Sequence, residues 1–377
     1  MKKVMRGVGA GVAVGAIVAL AACAPPSDDD SSSSSSEGGV SASAATSAEE
    51  FGGLDALVKA AQKEGTLNTI ALPDTWANYG EIKAAFTKKY NIKIVSDQPD
   101  GASQDEINAV KTEKGRSSAP DVLDMGGAVT LANTALYAPY QVSTWADIPA
   151  GQKDSTGLWV NDYGGYMSIG YDSKKFPAVT KASDLLGAKF KNSVALNGDP
   201  TQAGAAFGGV AMASLANGGS ADDVSKGVDF FKQLKAAGNF VPVQASPATI
   251  KSGETPVVFD WDYLNAAEVS ENPNWKVVVP DGAVLGSYYN QAITKDAPHP
   301  AAARLWEEFL FSDEGQNLWL KGGARPVRMD AMTKAGTIDT ALAAKLPQVS
   351  GTPVFLTTEQ TATATKYLTA NWAKAIG

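Results

Sequence analysis

Short apolar strands alternate with helices in the first part of the chain, and this alternation constrains the fold more than any other feature. The predicted elements are a helix over 54–62, a strand over 66–72, a helix through Ile82, Phe86 and Tyr90, a strand over 92–95, a helix beginning at a Ser103–Glu106 capping box and a strand over 121–125. This order predicts a mostly parallel sheet with helices on both faces. Because ligands bind such sheets beyond the carboxyl ends of the strands, the loops at 73–80 and 124–128 are expected to carry function.

The same kind of pattern continues toward the C-terminus. Further strands are predicted over 165–171, 193–196, 257–260, 276–279 and 289–293, and further helices over 221–236, 300–310 and 312–320. A chain of 377 residues is long enough for two modest domains with separate cores. The sequence therefore predicts an α/β protein with two lobes.

Composition excludes several classes of function. Lys and Arg total 32 against 40 Asp and Glu, and the net charge of −8 disfavours nucleic acid as a partner. The single histidine, His299, and the single cysteine, Cys23, leave no Cys–His dyad, no Cys/His zinc cluster and no internal disulfide. His299 lies between two prolines and is expected to be a solvated turn residue. Neither a phosphate-binding P-loop nor a Rossmann glycine motif is found, so a nucleotide-driven enzyme has no support.

The N-terminus has the composition of an export signal. A basic start precedes an apolar run over 8–22 that is too short for a good membrane span. The run ends in Leu20-Ala21-Ala22-Cys23, which resembles the bacterial lipoprotein box. Residues 1–22 are therefore predicted to be a signal peptide and Cys23 the lipidated first residue of the mature chain, which would anchor it to the outer face of the cell membrane. The alternative is an ordinary secretory signal with a chance cysteine.

Residues 23–50 are predicted to form a disordered tether. Prolines, an aspartate run, six consecutive serines and small residues leave too little apolar surface to order this segment. Such a tether would let the folded body reorient and dock on a partner in the membrane, or it would only cross the cell-wall layer. The sequence does not separate these two interpretations.

Several segments of the remaining chain carry a family resemblance. They are FTKKYNI at 86–92, DVLDMG at 121–126, Pro139-Tyr140, SGETPVV at 252–258, APHPAAA at 297–303, Phe309-Leu310, SDEGQ at 312–316 and GGARPVR at 322–328. On these segments, residues 51–377 resemble the extracytoplasmic solute-binding proteins of ABC importers. The similarity is to the type II, two-lobed group that includes ferric-ion, thiamine, phosphonate and polyamine binders.

The resemblance implies a type II periplasmic-binding-protein fold with a ligand cleft between two lobes. The expected boundaries are 51–168 and 288–338 for lobe 1, 169–287 for lobe 2 and 339–377 for C-terminal helices that pack on lobe 2, with crossovers near 166–172 and 286–290. The implied mechanism is hinge closure on a small-molecule solute, followed by delivery to a membrane permease and its ATPase. The resemblance implies a monomer in which no bond is broken. No cofactor or metal site is assigned, and a tyrosine–carboxylate site for a hard metal stays open.

The first candidate ligand contacts lie in the loop after the first strand. Asp74, Trp76, Asn78 and Tyr79 combine a carboxylate with aromatic faces, which suits a cation or the face of a sugar. The alternative is that Trp76 and Tyr79 only cap the core.

A second group of candidates lies where strands run into helices. Asp199, Thr201 and Gln202 precede a predicted helix whose free backbone N–H groups suit a carboxylate or phosphate, although Asp199 or Thr201 could equally be a simple N-cap. Asp124 and Gly126 could contact ligand, although a carboxylate in a turn is more often a local cap.

The third group combines aromatic and acidic residues in the second half of the chain. Trp261, Tyr263 and Tyr288 could line an aromatic box in which Asp262 neutralises an amine. The Tyr288-Tyr289 pair is similar to the phenolate pair of ferric-ion binders but lies at the second crossover, later in the chain than in those proteins. Because neighbouring strand residues point to opposite faces, one of the two tyrosines is expected to be in the core.

These candidates favour a small polar charged solute, with amine-bearing molecules such as a polyamine, a thiamine-like molecule or an aminophosphonate first. A ferric-ion or sugar binder of the same fold is the alternative. An exported glycan hydrolase with a carboxylate pair is the alternative from another class, although no such pair is identifiable.

Overall fold

The computed structural model describes residues 40–347 and 349–377. The predicted signal peptide and the lipidation site at Cys23 lie outside the described residues. In the described ranges the α-helices are α1 (Ala48–Phe51), α2 (Leu54–Glu64), α3 (Tyr79–Tyr90), α4 (Ser103–Thr112), α5 (Gly127–Ala132), α6 (Gly204–Ala216), α7 (Ser225–Ala237), α8 (Pro247–Ser252), α9 (Asp262–Ala267), α10 (Pro300–Leu310), α11 (Asp313–Lys321), α12 (Met329–Ala335), α13 (Thr340–Ala343) and α14 (Thr358–Ile376).

Strands separate these helices along most of the chain. They are β1 (Thr66–Ile70), β2 (Lys93–Asp97), β3 (Val122–Gly126), β4 (Tyr137–Ala138), β5 (Val160–Asp172), β6 (Val194–Leu196), β7 (Val257–Trp261), β8 (Trp275–Val278), β9 (Leu285–Thr294), β10 (Arg325–Pro326) and β11 (Val354–Phe355). The predicted elements are therefore present, with small differences at their ends.

The long strand β5 connects two groups of strands. Its first half, from Val160 to Tyr166, pairs with β9, which in turn pairs with β3 and β4. Its second half, from Met167 to Asp172, pairs with β7 and β8, and β6 extends that side. β5 is buried along nearly its whole length because both groups pack against it. Residues near the middle of β5 and the start of β9 thus lie where the two groups meet.

The expectation of a mostly parallel sheet is wrong. β1–β2, β6–β7 and β9–β11 are parallel ladders, whereas β3, β4, β7, β8, β9 and β10 form antiparallel ladders with β5 or β9. The cause is that β5 and β9 are long strands that run antiparallel to each other, and most other strands form antiparallel ladders with one of these two. Local alternation predicts which segments are strands but not which distant strand each one pairs with.

The predicted capping box of α4 is also wrong. The backbone N–H at the helix start, on Ala102, is satisfied by the Asp105 carboxylate at 2.9 Å. Ser103 and Glu106 are buried and bond to the end of β3: the Ser103 hydroxyl accepts from Gly126 N–H at 3.0 Å, and the Glu106 carboxylate accepts from the N–H of Asp124 at 2.9 Å. These bonds fix the position of the chain where β3 passes into α5.

The folded body begins before residue 51, so the expected tether is too long at its C-terminal end. Ala42, Ala45 and Ala48 are buried in the main core. The buried guanidinium of Arg304 donates to the carbonyl oxygens of Ser43 and Ala45 at 3.0 and 2.8 Å. Small alanine side chains allow this close packing, which composition alone did not reveal.

His299 is a half-buried hydrogen-bonded residue rather than a solvated turn residue. Its Nδ1 lies 2.9 Å from the carboxylate of Asp121, and its backbone N–H donates to the same carboxylate at 2.7 Å. The bond to Asp121 raises the pKa of His299 above its usual value. The adjacent first turn of α10 is satisfied by Glu64, whose carboxylate accepts from the N–H groups of Ala301 and Ala302.

The C-terminal elements divide between two surfaces. α14 packs on α7 through Trp372, whose ring lies edge-on to Phe231 at 5.6 Å. In contrast, α13 contacts α11 in a small cluster with Leu320 and Met332, so residues 340–346 do not share the position of α14. No helix of the described part combines the length and the apolar character of a membrane span.

Candidate functional site

A cavity of about 390 Å³ lies where the two strand groups meet. Its walls are the start of α5, the turn before α6, the first half of β9 and the segment from β11 into α14. The amino ends of α5 and α6 both reach this cavity because each helix follows a strand, β3 or β6, that ends there. This position agrees with the expectation that ligands bind beyond the carboxyl ends of strands.

Two glycines bring the walls of the cavity together. A Cβ on Gly126, at the end of β3, would lie 2.8 Å from the Cα of Gly204, at the start of α6. A Cβ on Gly204 would lie 3.0 Å from the Cα of Gly126. Backbone meets backbone here, so only glycine permits the approach. The contact joins an element of the β3 side to an element of the β6 side.

The described residues that line the cavity include no acidic or basic side chain and no histidine. The lining instead consists of amides, hydroxyls, aromatic rings and backbone. The amide side chains are Gln104, Asn133, Gln152, Asn161, Gln202 and Asn290, and the large aromatic ones are Trp159, Phe207, Trp261, Tyr288, Tyr289 and Phe355. Amides both donate and accept hydrogen bonds, so this surface can satisfy a polar ligand without carrying a charge.

Six of the fourteen predicted ligand contacts line this cavity. They are Gly126, Thr201, Gln202, Trp261, Tyr288 and Tyr289. Tyr288 and Tyr289 point to opposite sides of β9 as expected: Tyr289 is 7% exposed and belongs to the core, whereas Tyr288 is half-buried. The two phenols therefore do not converge on one point as a metal-chelating pair would.

Asp262 is committed to a structural ion pair and does not offer the free carboxylate that was expected for an amine. One of its oxygens accepts from Arg325 Nη1 at 2.8 Å. The other accepts from the backbone N–H groups of Tyr166 and Tyr263, each at 3.0 Å. Burial raises the pKa of Asp262, and Arg325 opposes that effect. The prediction failed because Arg325 lies far away in sequence.

Three further predicted residues bond elsewhere. Asp74 is exposed and forms an ion pair with Lys83 at 2.7 Å. The amide of Asn78 donates to the carbonyl oxygen of Leu318 at 2.8 Å and holds the loop against α11. Asp199 is exposed and accepts from the N–H and hydroxyl of Thr201 at 2.7 and 2.6 Å, which is the simple turn-capping alternative.

The remaining four predicted residues form a buried aromatic cluster around Asp124, behind the cavity wall. The hydroxyls of Tyr79 and Tyr163 donate to one Asp124 oxygen at 2.9 and 3.0 Å. Trp76 Nε1 donates to the Tyr163 hydroxyl, and Tyr263 lies edge-on to the Tyr163 ring at 5.8 Å. Tyr79 and Tyr263 are thus core residues, and Tyr79 follows the alternative in which it only caps the core. Trp76 is half-buried.

The Asp124 cluster has unusual electrostatics. Burial raises the pKa of Asp124 to about 7, although the two tyrosine hydroxyls act in the opposite direction. Burial and the Asp124 charge raise the pKa of neighbouring Asp162 well above its usual range. The second Asp124 oxygen and the Tyr263 hydroxyl are buried without a hydrogen-bond partner among the described residues. Such buried groups are costly without a partner, and for Asp124 the Asp162 carboxyl is a partner when one of the two carboxyls holds a proton.

Sequence reasoning missed several cavity residues. Asn290 was quoted beside the tyrosine pair but not chosen, although strand alternation places it two residues from Tyr288 on the same face. Asn161 lies on the partner strand directly opposite Asn290. The C-terminal residues Phe355 and Thr361 carried no signal at all, because only the folded chain brings α14 to the cavity.

No group of three or more His, Cys, Asp or Glu side chains within the described ranges is placed to hold a metal ion.

Comparison with known proteins identifies the class of the molecule. The model of the family described as "Bacterial extracellular solute-binding protein" matches residues 128–345, more than half of the chain. The chain belongs to this family. No curated protein sequence matches it significantly.

Solved structures of periplasmic binding proteins share the fold. AfuA from Actinobacillus pleuropneumoniae, with exogenous fructose-6-phosphate bound, has a TM-score of 0.66 and 19% identity, over 83% of this chain and 98% of AfuA. Iron-bound HitA from Pseudomonas aeruginosa has a TM-score of 0.60 and 19% identity, over 83% of this chain and 99% of HitA. A putative spermidine/putrescine ABC transporter protein from Listeria monocytogenes has a TM-score of 0.61 and 13% identity, over 82% of this chain and 99% of its own.

These similarities confirm the two-lobed type II periplasmic-binding-protein fold. The family match makes the chain an extracellular solute-binding protein rather than an enzyme. The hydrolase alternative is therefore wrong. The solutes named for the three structures differ from one another, so the fold by itself selects none of them.

Proposed function

We propose that this solute-binding protein captures a small polyhydroxylated solute, a sugar or a sugar phosphate, in the cavity between the two strand groups. The observation that carries the proposal is the lining: amides, hydroxyls and aromatic rings, with no ionisable acid, base or histidine among the described residues. This choice replaces the amine-first ranking with the sugar alternative. The reason is that Asp262, the expected counter-ion, is already paired with Arg325.

The chemistry of the lining matches a sugar. Each sugar hydroxyl donates and accepts, and so does each amide of Gln152 and Asn161 through its NH2 and its oxygen. The half-buried ring of Tyr288 offers a flat apolar surface for the C–H face of a pyranose or furanose, whereas Trp261, which is 2% exposed, belongs to the core. A cation bound in the same cavity would be desolvated without a counter-ion, which is costly, whereas an anionic group would meet the positive end of the α6 dipole.

The turn before α6 suits an anionic end on such a solute. α6 has 13 residues and no side-chain cap at its amino end. Its first-turn N–H groups and the positive end of its dipole therefore remain available to a phosphate or carboxylate beside Thr201 and Gln202 in the cavity wall. AfuA, which shares the fold, was solved with fructose-6-phosphate bound. That structure supports a sugar or sugar phosphate as the class of solute.

Contacts of the solute with both lobes would supply the binding energy. Gly126 and Gly204 approach closely beside the cavity, and we assign this contact to a closed form. A solute that contacts both sides would shift an open–closed equilibrium toward this form. The closed form would then dock on the permease.

A binding screen tests the proposal directly. Thermal unfolding would be followed with fructose, fructose 6-phosphate, putrescine, spermidine and ferric citrate, because a ligand at 100 times its Kd adds about 2.7 kcal/mol of stability. We expect shifts with a sugar or sugar phosphate only. Gln152→Leu should weaken that binding roughly two- to tenfold through the loss of a hydrogen bond, whereas Gln244→Leu, at an exposed glutamine outside the cavity, should not. Stabilisation by an amine alone would contradict the proposal.

An amine is the second candidate, and one observation favours it. The buried carboxyl of Asp124 lies within a cluster of rings that includes Trp76, Tyr163 and Tyr263, the surroundings that bind ammonium groups. An amine there would require the cluster to open. Putrescine binding that Asp124→Asn abolishes and Gln152→Leu leaves unchanged would select this site.

We further propose that the mature protein is a monomer attached to the cell membrane by a lipid on Cys23 and that its partners are a permease and its ATPase. The lipoprotein box and the family support this proposal. Fractionation of cells that express the intact protein and Cys23→Ser tests the anchor. The intact protein should sediment with membranes and the variant should not, and sedimentation of both would contradict the proposal.

A further inference from the structure

The C-terminal segment, defined here as β11 and α14, is held against the cavity from several sides. β11 pairs in parallel with the start of β9, with Val354 opposite Leu285 and Phe355 opposite Gly286. α14 packs on α7 and also contacts α5. Its first turn is fixed by a capping box between Thr357 and Gln360. The segment therefore closes the space between elements of both strand groups.

One face of the segment lines the cavity. The lining residues from this segment and its immediate flank are Phe355, Leu356, Thr357, Thr358, Thr361, Thr365 and Thr369. The spacing of four residues places the last three threonines on one side of α14. The hydroxyls of Thr365 and Thr369 donate to the carbonyl oxygens of the residues four positions earlier, at 2.8 and 2.9 Å. Their oxygen lone pairs remain as hydrogen-bond acceptors.

Phe355 continues the aromatic surface of the cavity. Its ring stacks on that of Tyr288 with centroids 6.1 Å apart and planes inclined by 23°. A Cβ on Gly286 would lie 2.4 Å from the Phe355 ring. The glycine thus leaves the space that the ring occupies, and Phe355, which is itself 47% exposed, lies over the chain at the start of β9.

We propose that the C-terminal segment is a wall of the solute-binding site and sets its specificity, with Phe355 contacting the apolar face of the solute and Thr361 and Thr365 accepting hydrogen bonds from its hydroxyl groups. The inference rests on the proposed function, because it assigns residues to the same cavity. Two strand groups alone would leave this side of the cavity open. A solute with hydroxyl donors meets oxygen acceptors on α14, whereas a fully esterified or methylated analogue would not.

Binding measurements test the contacts. With the full-length protein and fructose 6-phosphate or fructose as the probe, Thr365→Val keeps the shape and removes the acceptor, and we expect the Kd to rise roughly two- to tenfold. Phe355→Ala should raise it by at least as much. Thr363→Val is the matched control, because Thr363 is an exposed threonine on the opposite side of the same helix. Equal affinity of Thr365→Val and Thr363→Val, with the wild type binding normally, would overturn the proposal.

A second experiment needs no sugar and separates failure of this inference from failure of the proposed function. In full-length protein carrying Cys23→Ser, Thr365→Cys and Thr363→Cys each supply a single thiol, because the chain contains no other cysteine. A small methanethiosulfonate reagent should modify both thiols, and a maleimide carrying a long polyethylene glycol chain only the one at position 363. Equal labelling of both positions by the large reagent would show that α14 does not face a cavity. Size-selective labelling without any sugar binding would retain the wall and reject the sugar.

Discussion

Arg325 and Asp262 form a buried ion pair in which Nη1 of the guanidinium lies 2.8 Å from a carboxylate oxygen, with 13% and 0% of the two side chains exposed. The pair joins β10 to the start of α9. The guanidinium also packs 4.3 Å from the centroid of the Tyr166 ring and donates to the carbonyl oxygen of Pro347 at 2.9 Å. Because Asp262 is committed here, its charge belongs to the scaffold of the site and not to the solute.

Removal of one partner of this pair should destabilise the protein strongly. Arg325→Met leaves the Asp262 carboxylate buried without its counter-charge, and the free energy of unfolding should fall by about 3–5 kcal/mol. Urea unfolding measures the change. The control is Lys321→Met, which breaks the exposed pair with Glu81 and should cost at most about 1 kcal/mol. Equal stability of Arg325→Met and wild type would show that the pair is not formed.

The approach of Gly126 to Gly204 should be required for tight binding. Gly126→Ala places a methyl group 2.8 Å from a backbone atom, and relief of such crowding costs about 1–3 kcal/mol. If this contact forms when the lobes close, the affinity for the solute should fall by the same free energy. Gly126 has φ −64°, so alanine itself causes no backbone strain there.

The neighbouring residue provides the control for that experiment. A Cβ on Gly127 would meet only the Asn290 amide nitrogen at 3.7 Å, an ordinary contact, so Gly127→Ala should bind nearly normally. Small-angle scattering should show a larger radius of gyration for Gly126→Ala than for wild type in the presence of the solute. Identical scattering and affinity for the two variants would refute a closure contact at this position.

The pair of His299 with Asp121 should make stability depend on pH. The bond raises the pKa of His299 in the folded state above the unfolded value of about 6.5. The folded chain therefore binds the proton more tightly, and the stabilisation is complete below pH 6.5 and is lost as the pH rises through the folded pKa. Urea unfolding of wild type and His299→Gln should differ most near pH 5.5 and least near pH 9. A difference that is constant with pH would contradict this assignment. Since His299 is the only histidine, its ring resonances would report the pKa directly.

Sequence patterns predicted the elements better than their arrangement, for a physical reason. The strand at 165–171 and the helix at 300–310 follow from local apolar spacing, and both are present as parts of β5 and α10. Strand direction follows from pairing between distant segments, so the antiparallel order of β3 beside β9 was not predictable from local alternation. Within the site, alternation along a strand correctly separated Tyr288 from Tyr289.

The failures within the site have the same origin. A free role was predicted for Asp262 because its partner, Arg325, lies 63 residues away along the chain. The contribution of Phe355 and Thr365 went unnoticed because a threonine-rich amphipathic helix has no pattern specific to a ligand. Residue types at strand ends thus indicated the region of the cavity, whereas the pairing of charges around it required the fold.

Asp124→Asn should remove a loss of stability that the wild-type protein shows as the pH rises. Burial raises the folded pKa of Asp124 to about 7 from a usual value near 3.8, so between these values the folded chain holds a proton that the unfolded chain has released. Stability must therefore fall with rising pH over this window. Asparagine cannot ionise, yet its side-chain oxygen can still accept from the hydroxyls of Tyr79 and Tyr163.

The free energy of unfolding of the variant, relative to wild type, should consequently increase between pH 4.5 and pH 8. Thr130→Val, at a buried polar residue that does not titrate, is the control. If the variant and wild type were to run parallel from pH 4.5 to pH 8, Asp124 would hold no proton of its own over this window, and the prediction would be wrong.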